Sequence, residues 1–173
     1  IEFGRAITHM PNSLWPMMAE PHPANPALLQ QLTAARSRPV VGYTGNLRGR
    51  LDTDTLLPLM QQHPEWDFWF VGQTHGSAFY RASQHLPNCR FWGTLCQADA
   101  HAVMHHFDVA IIPFKDDPLV KTMSPIKVDA YRRAQLPIVT LTGQSPAAFH
   151  DQLRAILANA AKCDPKQSGS DPN

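Results

Sequence analysis

Long apolar runs, paired cysteines and a charge excess of either sign are all missing from this chain of 173 residues. No stretch approaches the roughly 18 consecutive apolar residues that a membrane-spanning helix needs. The formal net charge is +1, which argues against an extended contact with nucleic acid or an anionic membrane. The three cysteines, Cys89, Cys96 and Cys163, form no CxxC pair, so we expect a reducing cytoplasm rather than a disulfide framework.

Signatures of several well-known sites are also missing. The dinucleotide fingerprint GxGxxG does not occur in the first glycine-rich loop. His101 and His105 lie four residues apart with His106 beside them, but no convergent further ligand accompanies them. Histidines on the solvent face of a helix are the better interpretation, and no metal site is predicted. Neither Cys89 nor Cys96 has an identifiable base beside it, which disfavours a cysteine nucleophile.

The length and the 43% of apolar residues suit one domain with a packed core. Residues 1–38 are predicted to be an entry segment with a short helix, since their beginning is rich in proline and methionine. Residues 39–162 carry the pattern of a folded domain. Residues 163–173 are predicted to be a tail that is partly vector-derived, and residues 1–3 a cloning scar.

Short apolar runs alternate with helical patterns along the domain. The predicted strands cover residues 39–43, 68–71, 90–92, 109–113 and 137–141, and the predicted helices 26–35, 53–62, 77–85, 97–106, 125–134 and 146–161. Pro58 predicts a kink or a late start in the second helix. The alternation predicts an α/β fold, a Rossmann-like three-layer α/β/α domain with a parallel sheet. Such sheets bind ligands in a crevice at the C-terminal ends of their strands.

The first candidate site is the glycine-rich loop after the first strand. Gly45 lets the backbone approach a ligand closely, and Asn46 follows it. Arg48 and Arg50 lie in the same loop and can each meet phosphate oxygens with two hydrogen bonds. A flexible turn with solvated arginines is the alternative.

The second candidate site is the start of the fifth predicted helix, at residues 125–134. Ser124 is a good N-cap residue and Pro125 suits the first helical position. The backbone N–H groups that follow would favour an anion, and so would Lys127. Because a cation is unfavourable to the helix at its own N-terminus, Lys127 makes most sense with an anion beside it. A solvated surface lysine is the alternative.

The third candidate is the polar loop of residues 114–122, which leaves the strongly apolar fourth strand. Loops in this position often close over ligands, although a plain connector is equally consistent with the sequence.

In their order and spacing, several pieces of the chain resemble the nucleotide-binding half of GT-B glycosyltransferases of the retaining, family-4-like kind (glycosyl transferases group 1). The pieces are residues 41–45, 64–68, 71–72, 86–93, 107–114, 124–131 and 136–139. Together they span residues 39–141. No single piece is specific, but the whole series in the right order is.

The resemblance implies one half of a GT-B fold that binds a nucleoside diphosphate sugar of the UDP or GDP type, with no tightly bound cofactor. The loop of residues 45–50 and Lys127 would hold the diphosphate, the segments after Gly93 and around Phe114 would border the base, and the helix start at Met123 would lie under the phosphates. The residues implied for the donor are Gly45, Asn46, Arg48, Arg50, Gly72, Phe114, Thr122, Met123, Ser124, Pro125 and Lys127.

The chain departs from the family pattern at one place. Many members have two glutamates eight positions apart around this helix, the second of which contacts the ribose hydroxyls. Thr122 and Ala130 occupy those positions here. Asp129 is adjacent to Ala130, but neighbouring residues on a helix point about 100° apart.

The resemblance also implies an acceptor, which would be a glycan, a lipid or a small molecule. An N-terminal domain would bind it, and residues 1–38 are too few to form that domain. We therefore expect this chain to transfer no sugar alone. A cytoplasmic location is expected, and peripheral contact of the full-length protein with the inner face of a membrane is left open. Two alternatives are kept: a non-catalytic binding module on the same scaffold, which the missing glutamates fit, and a nucleotide-sugar epimerase.

Overall fold

Five parallel strands form the centre of the fold. The computed structural model describes residues 24–116 and 126–162. The strands are β1 (Val40–Thr44), β2 (Asp67–Val71), β3 (Cys89–Gly93), β4 (Val109–Ile112) and β5 (Ile138–Thr140). Their spatial order is β3-β2-β1-β4-β5, and every neighbouring pair is parallel. The predicted Rossmann-like α/β fold with a parallel sheet is confirmed.

Helices connect successive strands. They are α1 (Pro26–Ala35), α2 (Thr53–Gln62), α3 (Ala78–Ser83), α4 (Gln97–Met104), α5 (Ile126–Arg133) and α6 (Pro146–Lys162). Local capping explains where several of them begin. The side chain of Asn25 accepts a hydrogen bond from Ala27 N at 3.0 Å, and that of Asp52 accepts one from Thr55 N at 3.0 Å. Since α2 begins at Thr53, a late start caused by Pro58 is excluded, and the proline lies within the helix.

The core is built from the strand side chains. All five residues of β2 are buried, and Phe68, Trp69 and Phe70 are at most 1% exposed. Trp66, just before the strand, is buried as well. A strand whose successive side chains are all buried must be covered on both faces, which is the physical reason why helices lie on either side of this sheet.

The strand order decides where a crevice opens. From β1 the chain passes to β2 and β3 on one side of the sheet, and β4 and β5 then lie on the other side of β1. The strand order therefore reverses between β1 and β4, and ligands of such sheets bind outside the C-terminal ends of the strands at this point. The loop after β1 contains the first predicted site, and the loop after β4 contains the third. The loop after β4 also leads to the start of α5.

Candidate anion-binding site

Two glycines bring the ends of β1 and β2 into direct contact. Gly45 N donates to Val71 O at 2.8 Å, and Gly72 N donates to Gly93 O at 2.8 Å. Gly72 has φ +149°, and a Cβ atom there would lie 1.9 Å from Gly45 O. A side chain at Gly72 is therefore excluded by the backbone of the neighbouring loop as well as by its own backbone conformation.

The loop after β1 is fixed along its first half. The buried Ser77 hydroxyl donates to Leu47 O at 2.8 Å, and the Tyr43 hydroxyl donates to Asn46 O at 3.1 Å. The Asn46 side chain in turn accepts from Arg48 N at 2.9 Å. These hydrogen bonds hold the backbone at residues 46–48, while the side chains of Arg48 and Arg50 are exposed.

The second half of this loop pairs with the segment after β4. Leu51 and Phe114 form an antiparallel bridge. On either side of it, Asp52 N donates to Pro113 O at 2.8 Å and Lys115 N donates to Arg50 O at 3.0 Å. The two loops that border the crevice are therefore joined by backbone hydrogen bonds.

Lys127 extends from the first turn of α5 into the space beneath Gly45. A Cβ atom on Gly45, whose φ is +138°, would lie 2.8 Å from Lys127 Nζ. The Lys127 ammonium donates to the Tyr43 hydroxyl at 3.0 Å. It also lies 4.6 Å from the centre of the Tyr43 ring and 4.7 Å from that of Phe114. The alternative of a solvated surface lysine is therefore wrong.

The electrostatic surroundings of Lys127 favour an anion. Among residues 24–116 and 126–162, no carboxylate forms an ion pair with it. Burial and then the charge of Arg50 lower the pKa of Lys127 to about 8. A half-buried ammonium without an acidic partner is costly, and a bound anion would remove much of that cost.

Tyr131 holds α5 against the sheet. Its buried hydroxyl accepts from Thr44 N at 2.8 Å and from Thr44 Oγ1 at 3.2 Å. Burial raises the pKa of Tyr131 to about 12, so the hydroxyl stays protonated. Because Tyr131 follows Lys127 by one helical turn, this anchor at the end of β1 also sets the position of the lysine.

The structure brings some of the predicted residues together and leaves others apart. Lys127 lies close to Gly45 and to the Phe114 ring, Gly72 lies against Gly45 O, and Arg50 is close enough to affect the pKa of Lys127. Asn46 is exposed, and the Arg48 guanidinium lies beside Gly76, since a Cβ atom there would be 3.3 Å from Arg48 Nη2. Four predicted residues lie outside the described ones: Thr122, Met123, Ser124 and Pro125.

Sequence reasoning missed Tyr43 and Tyr131. Tyr43 follows an apolar run, where an aromatic residue is most simply core, and Tyr131 lies beside Arg132 in a charged stretch. The spacing of Tyr131 from Lys127 was the available signal, because residues four apart share one face of a helix. Asp129, considered for ribose, instead pairs with Arg132 at 3.8 Å. The described part of the chain contains no cluster of three or more metal-ligating side chains, and no helix in it is long and apolar enough to span a membrane.

Comparison with known proteins gives one sequence relative. Over 102 residues the chain is 28% identical to the protein of Bacillus subtilis (strain 168) named "Putative teichuronic acid biosynthesis glycosyltransferase TuaH". The chain has a glycosyltransferase homologue. The match covers 58% of this chain but only 26% of that protein. No protein-family model matches the chain.

Two solved structures of one glycosyltransferase have a similar fold. The glycosyltransferase GlyE of Streptococcus pneumoniae TIGR4 superposes with a TM-score of 0.51 at 13% identity, covering 69% of this chain and 33% of that one. Its apo form gives a TM-score of 0.53 at 12% identity, covering 74% and 37%. At this identity the likeness concerns the fold, and the chain spans about a third of the GlyE chain.

Proposed function

We propose that this chain is the donor-binding domain of a GT-B glycosyltransferase, and that it binds a nucleoside diphosphate sugar of the UDP or GDP type. One observation carries the proposal. The Lys127 ammonium, which has no acidic partner among the described residues, lies beneath Gly45 at the reversal of strand order in a Rossmann-like sheet. The glycosyltransferase homologue supports the same conclusion.

The groups around this space suit a diphosphate. Lys127 supplies a positive charge, and Arg50 is near enough to add a second one. The helix α5 begins at Ile126, and the first N–H groups of a helix lack partners within it and favour anions. Such groups would stabilise the diphosphate as it departs from the sugar, which is where negative charge develops in the reaction.

The test is calorimetric titration with UDP and GDP at fixed magnesium and salt, comparing the wild type with Lys127→Ala. We expect Lys127→Ala to weaken binding by about 10- to 100-fold, because a hydrogen bond to a charged group contributes about 1.5–3 kcal/mol. Arg132→Ala is the matched control. It removes one positive charge from the last turn of the same helix, where Arg132 is exposed and pairs with Asp129.

The outcomes separate the candidate functions. Equal affinity in Lys127→Ala and Arg132→Ala would contradict the proposed phosphate site. No binding by a folded wild type would favour the non-catalytic module. Stereochemical change of a UDP-sugar without an acceptor would identify an epimerase.

A further inference from the structure

A chain of hydrogen bonds with a fixed direction runs through the candidate site. An ammonium group can only donate, so the 3.0 Å contact between Lys127 Nζ and Tyr43 Oη makes the hydroxyl the acceptor. The single Tyr43 O–H is then free to point at Asn46 O, 3.1 Å away. The donor-to-acceptor order is therefore Lys127 to Tyr43 to Asn46. The Tyr43 hydroxyl accepts from the lysine and donates to the backbone carbonyl.

Tyr43 is well suited to this position. It is fully buried in β1, one residue before the end of the strand. Burial, then the neighbouring Tyr131, raise the pKa of Tyr43 far above its usual value, so the phenol keeps its proton. A buried phenol cannot exchange its partners for water, and its orientation follows from the two groups that it contacts.

We propose that Tyr43 is a positioning residue of the anion site, and that its hydroxyl couples the proton on Lys127 to the backbone of Asn46 in the glycine-rich loop. The anion part of this inference rests on the proposed function. If Lys127 loses its proton, its nitrogen gains a lone pair that competes with Asn46 O for the Tyr43 O–H. An anion favours the ammonium, so it also favours the bond that holds the loop.

The groups that face the lysine determine how it titrates. Tyr43 faces it from β1, Arg50 belongs to the loop after β1, and the uncharged Phe114 faces it from the segment after β4. Since burial and Arg50 lower the pKa of Lys127 to about 8, the free site is partly deprotonated at pH 8. Anion binding at and above this pH should then be accompanied by proton uptake.

The experiment measures the affinity for inorganic pyrophosphate between pH 6.5 and 9.5, in two buffers of different ionisation enthalpy. We expect the wild-type affinity to fall as the pH rises through about 8. In Tyr43→Phe the Lys127 ammonium loses its hydrogen-bond acceptor, which favours the neutral amine. The fall in affinity should therefore occur at lower pH than in the wild type. The affinity ratio between wild type and variant should be within about 2-fold at pH 6.5 and about 3- to 10-fold at pH 8, consistent with one lost hydrogen bond.

Ser83→Ala is the matched control, because it removes another buried hydroxyl, which donates to Phe79 O at 2.7 Å within α3 and not to the Lys127 site. Its pH profile should keep the wild-type midpoint. An unshifted profile in Tyr43→Phe, or an equal shift in both variants, would overturn the positioning role.

A ligand-free measurement separates this inference from the proposed function. The titration of the Lys127 ε-methylene can be followed by NMR in the wild type and in Tyr43→Phe. A lower midpoint in the variant supports the coupling even if no phosphate compound binds, in which case the proposed function alone fails. Equal midpoints refute the coupling even if nucleotides bind.

Discussion

Individual residues in this site show which contacts can be predicted from a sequence. Glycines at strand ends and a lysine in a first helical turn were recognisable, because each is unusual for its position. The hydroxyls of Tyr43 and Tyr131 were not, because their roles depend on Asn46 and Thr44, which they meet only through tertiary packing. The requirement at Gly72 was likewise hidden, since the atom that excludes a side chain there belongs to Gly45.

Gly72→Ala should lower the free energy of unfolding by about 3 kcal/mol or more, since it combines a backbone conformation reserved for glycine with a steric clash. Gly143→Ala is the control. Its φ is +83°, but a Cβ atom there would meet nothing within 4 Å. Its cost should stay near about 1 kcal/mol, from the backbone alone. Urea denaturation measures both, and similar losses would mean that the loop of Gly45 can move aside.

At the scale of elements, local signals predicted most of the fold. Alternating apolar runs and capping residues located the five strands and six helices of residues 24–116 and 126–162 to within one or two residues at their ends. What local signals did not reveal is how separate elements touch. The end of α2 meets the start of α6 through His63, whose Nε2 lies 2.6 Å from His150 Nε2 and whose Nδ1 lies 2.6 Å from Glu65. His63 and His150 are 87 residues apart, so no local sequence pattern predicts their contact.

This histidine pair predicts a loss of stability in acid. Burial and the neighbouring His63 lower the pKa of His150 below its usual value. The unfolded chain therefore binds more protons as the pH falls below about 6.5, and stability decreases with pH in that range. Burial raises the pKa of Glu65, but its hydrogen bond to His63, a backbone hydrogen bond and the charges of His63 and Arg154 together lower it below its usual value, and its contribution is lost at still lower pH.

His150→Gln should reduce this pH dependence, because an amide can donate to His63 but does not titrate. The measurement is the urea midpoint at pH 7.5 and at pH 5.0. The drop between the two should be smaller in His150→Gln than in the wild type. His85→Gln changes an exposed histidine and should keep the wild-type drop. An unchanged drop in His150→Gln would show that the acid sensitivity arises elsewhere.

At the scale of the whole molecule, the order of the strands was the part that the sequence left undetermined. Apolar strands separated by helices indicate a parallel, covered sheet, but several strand orders satisfy that pattern equally well. The observed order makes β1 and β4 neighbours, and this alone brings the glycine-rich loop, Phe114 and Lys127 to one crevice. The site could be proposed from its residues, whereas its geometry required the fold.

We predict that this chain transfers no sugar by itself, even with a donor nucleotide at the proposed site. The described residues form one sheet with its helices, and transfer needs an acceptor held in line with the donor, which contributes much of the rate. The measurement is product formation from a UDP- or GDP-sugar whose nucleotide binds, with candidate acceptors. Turnover by the isolated chain would contradict the proposed division of labour between two domains.

The bridge between Leu51 and Phe114 limits where residues can be inserted or deleted. Because backbone hydrogen bonds join the two segments on either side of it, adding or deleting a residue in residues 46–50 would shift the register of the segment after β4 as well. The turn at Gly143 carries no such pairing to this segment, and a Cβ atom there would meet open space. A fluorophore or an affinity tag is therefore better inserted at residues 142–145 than in either loop of the crevice.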